Sequence, residues 1–257
     1  MQTLSSHPQN KSGKGQAQRA PEAGFSLIEL IIAMGITLTI MTLSCSLLAA
    51  GFNMRSREDR KSDAIADVQR ALNIMTREIS NSGLKLPTGL PAIASNGIVT
   101  FDSDTDELRI VSNLNGMPDT ANGYSEDSDV SDADEDVKFL MYVDADLGQR
   151  YIVRYEKNGT NQTTVLANRI DSLVFRYYDE KVTYDTTVEG SGVCDITNVV
   201  NAAGLAESEV SPSAAKFIVI AVGVTLPAVG TAGSDGYQPP SQVQLTSDVV
   251  LRNSIVY

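Results

Sequence analysis

The longest apolar stretch of the chain runs from Phe25 to Phe52, and Glu29 is its only charged residue. As an α-helix this stretch would be about 42 Å long, at about 1.5 Å per residue, whereas the hydrocarbon core of a bilayer is about 30 Å thick. The pattern therefore predicts a membrane-spanning helix over residues 25–52. Glu29 needs an explanation, because a charge in a membrane segment is costly unless a counter-charge compensates it.

The apolar pattern continues with helical spacing after a polar collar, "RSREDRKSD", at residues 55–63. No proline lies between Pro21 and Pro87, so both segments are predicted to form one continuous helix. Gly83 and Pro87 are typical helix-stop residues, and the amphipathic part is predicted to cover residues 53–86. Five apolar residues recur at intervals of three and four, which is typical of a helix face that packs on a sheet: Ile65, Val68, Leu72, Met75 and Ile79.

After Pro91 the chain changes to short runs rich in β-branched and aromatic residues, separated by turn residues. Alternation of apolar and charged residues, as in "RYIVRYEKNG", is typical of half-buried antiparallel strands. The predicted fold class is therefore α+β and pilin-like, with a long N-terminal helix packed on an antiparallel β-sheet domain at residues 87–257. Two segments, near 119–136 and 186–213, break the pattern and are predicted as surface insertions. The predicted strands are "GIVTF", "ELRIVS", "VKFLMYV", "RYIVRYE", "TTVLA", "SLVFRYYD", "KFIVIAVGVTL" and "VQLTSDVVLRN".

The charged residues are unevenly distributed along the chain. Residues 1–24 carry a net charge of +2 and the whole chain carries −12, so residues 25–257 carry −14. A basic N-terminus before an apolar segment indicates a cytoplasmic N-terminus and an exported body. The acidic body argues against nucleic acid as a partner, and the sequence has no basic stripe with interleaved aromatic residues for single-stranded DNA.

The start of the apolar helix carries a short motif: a basic leader, then Gly24, then "FSLIEL". This arrangement resembles the type IV prepilin motif that pilins share with the pseudopilins of type II secretion. The resemblance implies that residues 1–24 are a leader peptide. It also implies that a prepilin peptidase/N-methyltransferase cuts between Gly24 and Phe25 and methylates the new amine of Phe25. Glu29 would then pair with the N-terminal amine of a neighbouring subunit, which would stabilise its charge in lipid.

Two other kinds of N-terminal segment are alternatives. A secretory signal peptide would use "KSGKGQAQR" as its basic region and "AAG" at residues 49–51 as its cleavage site, but its apolar core would be only about 7–15 residues long. A plain signal anchor fits the length of the apolar stretch and leaves Glu29 unexplained. The prepilin interpretation accounts for both the length and the charge.

Segments of the body also resemble a known group, the minor pilins of the PilW type and, more distantly, the J-type minor pseudopilin. The segments are "VQRALNIMTREISNSG", "ANRIDSLVFRYYDE" and "VVLRN". The resemblance implies a minor pilin that takes part in assembly or priming of a type IV pilus. Its partners would be other minor and major pilins, the inner-membrane assembly platform and the lipid bilayer. Its location would be the inner membrane, with a periplasmic C-terminal domain, and then the pilus.

Two other functions stay open at this point. The first alternative is a minor pseudopilin of a type II protein secretion system, which would use the same assembly chemistry to move exported proteins. The second, from a different class, is a membrane-tethered adhesin or ligand-binding module that never polymerises. A subunit that polymerises needs Glu29, whereas a tethered adhesin does not.

The predicted mature chain has no histidine, and its paired carboxylates, such as Asp102, Asp104 and Asp106, are typical of turn residues. The single histidine, His7, lies in the leader, which removes Ser-His-Asp and Cys-His arrangements and histidine-based metal sites. The two cysteines, Cys45 and Cys194, would lie in lipid and in water, so we expect no disulfide between them. We expect no catalytic residues and no cofactor.

The segment "EDSDVSDADED" at residues 126–136 contains seven acidic residues. Because Ca²⁺ binds several oxygen ligands, five aspartates are candidate calcium ligands: Asp127, Asp129, Asp132, Asp134 and Asp136. The EF-hand pattern fails, because a loop that starts at Asp127 has Asp132 at its glycine position and Lys138 at its glutamate position. The predicted state is a solvated acidic loop, with calcium binding as the alternative.

Overall fold

The computed structural model describes residues 24–86, 93–114, 129–158, 162–188, 193–234 and 236–254. These residues form one long α-helix, nine β-strands and three short 3-10 helices, and the fold class is α+β as predicted. The helix, α1, covers Leu27–Ser80. The strands are β1 Glu107–Val111, β2 Asp136–Val143, β3 Arg150–Glu156, β4 Thr163–Asn168, β5 Ser172–Tyr178, β6 Val182–Val188, β7 Cys194–Asn201, β8 Phe217–Leu226 and β9 Ser241–Val250.

The chain divides into two compact units, residues 1–47 and residues 48–257. The described part of the first unit is the N-terminal part of α1. Within the described chain, α1 is the one helix that is long and apolar enough to cross a membrane. The second unit contains the rest of α1 and all nine strands. The helix is continuous, as the absence of proline predicted.

The strands of the second unit form three antiparallel sheets. One sheet has the order β1-β2-β3-β4, a second has the order β5-β8-β9, and the third is the hairpin β6-β7. Every predicted run except "GIVTF" coincides with a strand. These runs were recognisable because their alternating side chains face a core on one side only.

The core of the second unit lies between α1 and the two larger sheets. The predicted helix stripe is confirmed as a core face, because its members from Val68 to Ile79 are buried and only Ile65 is half-buried. Burial of these side chains is the main source of stability, at about 25 cal/mol per Å² of apolar surface. The contacting residues on the sheets include Phe139, Ile152, Phe175 and Ile220.

The hairpin β6-β7 covers the face of the three-stranded sheet that lies opposite the core. Tyr178, Phe217 and Val219 of that sheet form a second apolar cluster with Val182 and Ile196 of the hairpin. The segment 186–213 was predicted as an insertion, and the structure differs, because its first part forms most of this hairpin. The sequence did not predict β7 as a strand, because β7 is stabilised by packing on another sheet and its own residues have a weak strand pattern.

The segment "GIVTF" at residues 97–101 pairs with β1 at a single bridge, between Ile98 and Ile110, and turns into a 3-10 helix at Thr100. It was predicted as a strand. Gly97 has a φ of +83°, and a Cβ at this position would collide with the backbone nitrogen of Gly83. The close contact of these two glycines ends the regular pairing.

The end of α1 follows from the same contact. The helix ends at Ser80, and Gly83, with a φ of +79°, turns the chain so that its N–H donates to the carbonyl oxygen of Val111 at 2.9 Å. Glycine adopts a positive φ without the steric cost that other residues meet. The stop that Gly83 predicted is therefore present, three residues beyond the last helical residue.

Candidate assembly site

The predicted cleavage junction lies just before the first turn of α1. The helix begins at Leu27, and the N–H of Leu30 donates to the carbonyl oxygen of Ser26 at 3.1 Å. Phe25 is 85% exposed, and a Cβ at Gly24 would meet no described atom within 4 Å. The Gly24–Phe25 peptide bond is therefore exposed with respect to the described part of the chain.

Glu29 lies in the first turn of α1 and is exposed. Its carboxylate forms no hydrogen bond or ion pair with any residue in the described ranges. A carboxylate near a helix N-terminus interacts favourably with the helix dipole, but this is worth only about 0.3–1 kcal/mol. An acid at the centre of a membrane helix costs about 2.5–3.5 kcal/mol. The dipole therefore does not compensate the charge if Glu29 enters lipid.

The N-terminal part of α1 presents apolar side chains on all sides. Residues from Phe25 to Met54 include sixteen large apolar side chains that are more than half exposed. A soluble helix would bury one such stripe against a core, so an apolar surface around the whole helix is typical of a segment that contacts lipid or other apolar helices. The sixteen are Phe25, Leu27, Ile28, Leu30, Ile31, Ile32, Met34, Ile36, Leu38, Ile40, Met41, Leu43, Leu47, Leu48, Phe52 and Met54.

The polar side chains within this segment are satisfied by the helix itself. The hydroxyl of Thr37 donates to the carbonyl oxygen of Ala33 at 2.7 Å, and Thr39, Thr42 and Ser44 make the same contact with the residue four positions earlier. Back-bonding of this kind removes the need for water. Glu29 is the one formally charged group of the segment, and its carboxylate has no described partner.

The loop between β8 and β9 contacts α1 at the end of the apolar segment and just after it. Arg57 donates from Nη1 to Oε1 of Gln238 at 3.1 Å. A Cβ at Gly236 would lie only 2.6 Å from the Cα of Ala50, so the loop backbone lies directly on the helix. A bridge between Val229 and Gln238 closes the loop. We call residues 229–238 the clasp loop.

The sequence did not predict the clasp loop. Its glycines were visible in "VGTAGSDGYQPP", and Gly230, Gly233 and Gly236 all have positive φ angles. Glycine-rich composition indicates a turn, but it does not say which surface the turn contacts. The three closely spaced glycines were the one indication in the sequence, because a backbone without side chains can lie close to another backbone, here that of α1.

The acidic segment does not bring its described aspartates to one point. Asp127 lies outside the described residues. Asp129 accepts hydrogen bonds from the N–H and the hydroxyl of Ser131, which lower its pKa. Asp134 is paired with Arg154, and Asp136 accepts two hydrogen bonds from Arg109, at 2.7 and 2.6 Å.

No group of three or more His, Cys, Asp or Glu side chains in the described ranges is arranged to hold a metal ion. Two of the calcium candidates, Asp134 and Asp136, instead belong to ion pairs with Arg154 and Arg109. Calcium binding by Asp129, Asp132 and the remaining acids stays an untested alternative to the predicted acidic loop.

Asp102 joins the pair formed by Arg109 and Asp136. Its two carboxylate oxygens accept from Nη1 of Arg109 at 3.0 Å and from Nζ of Lys138 at 2.6 Å. Burial acts to raise the pKa of Asp102, but the hydrogen bonds from Lys138 and Arg109 outweigh it and lower the pKa. The pairing also raises the pKa of Arg109, chiefly through its hydrogen bonds to Asp136. The cluster is an ion-pair network across β1 and β2.

Other shifted groups of the second unit reflect burial in the core. Burial raises the pKa of Tyr178 to about 12 and raises the pKa of the Cys194 thiol. The hydroxyl of Tyr177 is also buried, and it donates to the carbonyl oxygen of Asp104 at 2.9 Å. A tyrosine or thiol with a raised pKa stays protonated at neutral pH, so these groups act as apolar or hydrogen-bonding core residues.

Residues 19–44 match the prokaryotic N-terminal methylation motif. The matched range contains Gly24, Phe25 and Glu29, and it ends within the apolar part of α1. The match supports a type IV prepilin-like protein, and proteins of this pilin-like kind are structural subunits and not enzymes. Comparisons with curated proteins and with solved structures gave no significant match to the chain.

Proposed function

We propose that the chain is a PilW-like minor pilin that takes part in the assembly or priming of a type IV pilus. The observation that carries the proposal is the combination of a methylation motif at residues 19–44 with an exposed Glu29 that has no described counter-charge. Cleavage after Gly24 would create a cationic amine on Phe25, and this group is of the right charge to pair with Glu29 of another subunit.

The proposed chemistry is association. Cleavage removes the basic leader and leaves one positive amine and one negative carboxylate in each mature subunit, close to the start of the apolar helix. A subunit that stays alone in the bilayer has an uncompensated carboxylate. Breaking a buried ion pair by removing one partner costs about 3–5 kcal/mol, so pairing between neighbours favours assembly by a similar order. Packing of the apolar helices would supply the remaining affinity.

The proposal also assigns the partners and the location. The subunit would be anchored in the inner membrane by α1, with the second unit in the periplasm, and would be processed by a prepilin peptidase/N-methyltransferase. It would then contact other minor and major pilins and the inner-membrane assembly platform. The apolar surface of the helix and the basic leader support this arrangement.

The first experiment determines the native N-terminus by mass spectrometry of the protein purified from membranes. We expect a chain that begins at Phe25 with a methylated amine. An intact Met1, or a chain that begins after Gly51, would contradict the proposal and would indicate a signal anchor or a secretory signal peptide. Substitution of Gly24 by a bulky residue, Gly24→Val, should leave the leader attached.

The second experiment measures incorporation into filaments of the variant Glu29→Val. We expect incorporation to fall at least tenfold, while the amount of protein in the membrane stays unchanged. The matched control is Glu58→Val, which makes the same chemical change at an exposed acid on the same helix, outside the apolar segment. Normal incorporation of Glu29→Val would indicate a tethered module that does not polymerise.

A deletion strain distinguishes a pilus subunit from a secretion-system subunit. Deletion of the chain should abolish surface fibres if the subunit belongs to a type IV pilus, and it should abolish release of exported proteins if the subunit is a minor pseudopilin of type II secretion. We expect the loss of fibres.

A further inference from the structure

The outer strand of the three-stranded sheet, β9, has one edge that faces away from β8. The N–H of Leu251 donates to the carbonyl oxygen of Lys216 at 2.9 Å. Along an antiparallel strand, the backbone N–H and C=O groups of one residue point toward the partner strand, and those of the next residue point away from it. The register from Phe217–Val250 to Leu226–Ser241 therefore directs the backbone of odd-numbered residues toward β8. The even-numbered residues direct their N–H and C=O groups outward: Gln242, Gln244, Thr246, Asp248 and Val250.

This outward edge is open and regular. None of the five outward-facing residues has a backbone hydrogen bond to another part of the described chain. The pairing with β8 extends over ten residues without a register shift, and β9 contains no proline and only one charged residue, Asp248. Native proteins usually protect such an edge with a bulge, a proline or several charges. An unprotected edge is a template for pairing with another chain.

The other outer strands, β5, β1 and β4, each have a backbone contact or an irregularity in their pairing. The N–H of Phe175 in β5 donates to the carbonyl oxygen of Thr105 at 2.7 Å. Ile110 in β1 is bridged to Ile98, and the pairing of β4 with β3 contains an irregularity next to Val153. β9 is therefore the longest regular edge in the described sheets whose outward backbone groups have no described partner. The side chains of two outward residues contact the hairpin β6-β7: Gln244 donates to the carbonyl oxygen of Asp195, and Asp248 accepts from the hydroxyl of Tyr184.

A groove lies between the last part of β9 and the last turns of α1. Its volume is about 450 Å³. Val250 is 41% exposed there, and the side chain of Arg77 is 74% exposed. Peptides that extend a sheet commonly bind in a groove between an edge strand and a helix. The lining residues are Thr76, Arg77, Ser80, Asn81, Asp248, Val249, Val250 and Arg252.

We propose that β9 is a docking edge, at which a strand of a neighbouring subunit in the same assembly extends the sheet. The inference rests on the proposed function, because it requires that the chain has neighbours. It goes further by assigning the contact to the second unit, at a site separate from Glu29. Backbone hydrogen bonds would supply the affinity, and the groove beside α1 would supply selectivity.

The direction of β9 identifies the direction of the docked strand. Just before β9 begins, Gln238 contacts Arg57 of α1, and just after β9 ends, Asn253 donates to the carbonyl oxygens of Asn81 and Ser82. β9 therefore runs in the same direction as the part of α1 that belongs to the second unit. A strand that pairs antiparallel with β9 runs in the opposite direction to this part of α1.

This geometry argues against β9 of a second copy as the occupant. Neighbours in one filament would have the second-unit parts of their α1 helices in the same direction, so their β9 strands would also run in the same direction. Antiparallel pairing of β9 with a second β9 would invert one of these helices, and antiparallel pairing is the more stable arrangement. The occupant that we assign is therefore a strand of a different subunit that runs opposite to α1.

The charge of the groove gives the chemistry of that strand. Arg77 and Arg252 lie where β9 ends, and an antiparallel partner begins its strand at this point. Asp248 also lines the groove, so the groove has a formal charge of +1, whereas the body as a whole carries a strong negative charge. The docked strand is expected to carry an acidic residue at the end that lies beside Arg77 and Arg252, because complementary charge fixes register and suppresses wrong partners.

The test uses the full-length chain expressed with its assembly machinery. The variant Thr246→Pro removes one outward N–H and leaves the hydrogen bonds to β8 in place, because proline is tolerated on an edge strand whose N–H faces solvent. It also removes the side-chain hydrogen bond between Thr246 and Tyr184, so Thr246→Val, which removes only that bond, is the control and should enter filaments normally. We expect the variant to fold, with a melting temperature close to that of the wild type, and to enter filaments at least tenfold less. The contrasting variant Leu245→Pro removes an N–H that bonds to β8 and should lower the melting temperature strongly.

A second measurement does not depend on a substitution. Amide hydrogen exchange of residues 242–250 is measured in the detergent-solubilised chain and in the assembled complex. We expect the outward amides to exchange quickly in the isolated chain and to become protected on assembly. Equal exchange in both states overturns the inference even if Thr246→Pro unfolds the protein.

The outcomes separate this inference from the proposed function. Normal incorporation of a folded Thr246→Pro variant overturns the docking edge and leaves the proposed function intact. Failure of the wild type to assemble at all overturns both. A dimer of the isolated chain that Thr246→Pro dissociates overturns the assigned occupant, since the edge then pairs with a second copy. Arg252→Glu should reduce incorporation if the partner strand is acidic, and unchanged incorporation overturns that assignment.

Discussion

Arg154 on β3 donates a hydrogen bond from Nε to Oε2 of Glu78 on α1 at 2.8 Å. The Arg154 side chain is only 11% exposed, and it also contacts Asp134 and Glu156. One guanidinium group therefore connects the helix to the four-stranded sheet and to the acidic segment. Glu78 lies on α1 within the run of core residues, so this contact fixes the helix on the sheet at the edge of the core.

We expect Arg154→Met to lower the free energy of unfolding of the second unit by about 1.5–3 kcal/mol, because it leaves the carboxylates of Glu78 and Glu156 without their charged donor. The matched control is Arg77→Met on the neighbouring helix position, where the contact with Glu78 is 4.0 Å long and exposed. Such a contact is worth about 0–1 kcal/mol. Denaturant unfolding followed by near-ultraviolet circular dichroism measures both, and equal losses would contradict the assignment.

The ion-pair network of Asp102 predicts a dependence on pH. The pKa of Asp102 is below its usual value of 3.8, because hydrogen bonds from Lys138 and Arg109 outweigh the opposing effect of burial. A folded-state pKa below the unfolded one stabilises the fold above the unfolded pKa, and this stabilisation is lost as the pH falls through the folded pKa. The loss should therefore occur below about pH 4.

The variant Asp102→Asn tests this dependence. At pH 7 it should be less stable than the wild type, and the difference should shrink as the pH is lowered from about 4 to about 2. Denaturant midpoints of both proteins at several pH values provide the measurement. A difference that stays constant over this range would mean that ionised Asp102 does not stabilise the fold.

The clasp loop predicts different effects for two of its glycines. Gly233 and Gly236 both have positive φ angles, of +85° and +78°, so alanine at either position should cost about 1–2 kcal/mol of local strain. Only Gly236 lies against the helix, where a Cβ would meet Ala50, whereas a Cβ at Gly233 would meet nothing within 4 Å. We expect Gly236→Ala to be the more damaging substitution.

Amide hydrogen exchange of residues 229–238 in the full chain measures this difference. Gly236→Ala should release the loop from α1 and increase its exchange, while Gly233→Ala should leave the loop in place. Equal exchange in both variants would mean that the contact with Ala50 does not hold the loop.

The acidic segment predicts little response to calcium. Asp134 and Asp136 form ion pairs with Arg154 and Arg109. A calcium ion that binds both aspartates would have to break these two ion pairs. We expect millimolar Ca²⁺ to leave the melting temperature unchanged, to within the effect of the same concentration of Mg²⁺. A rise of several degrees that is specific for Ca²⁺, and is lost in Asp129→Asn or Asp132→Asn, would support calcium binding at this segment.

The chain's own pattern was sufficient for the elements whose signal is local. The apolar stretch from Phe25, the stripe from Val68 to Ile79 and the alternating runs each specify their structure within a few residues, because helix and strand periodicities determine which side chains share a face. Gly24, Phe25 and Glu29 were predicted from the resemblance of their short contiguous motif to the prepilin motif. Their roles in processing and assembly stay predictions.

Tertiary structure alone decided the contacts between distant segments. Nothing in the sequence of the β6-β7 hairpin indicates that it covers the outer face of the sheet β5-β8-β9. The contact of Gly236 with Ala50 joins positions 186 residues apart. The open edge of β9 is likewise a property of the sheet, because a strand's own sequence does not state whether it has one neighbour or two. Long-range pairing depends on the complementary surface that another segment supplies, and a local pattern cannot contain that information.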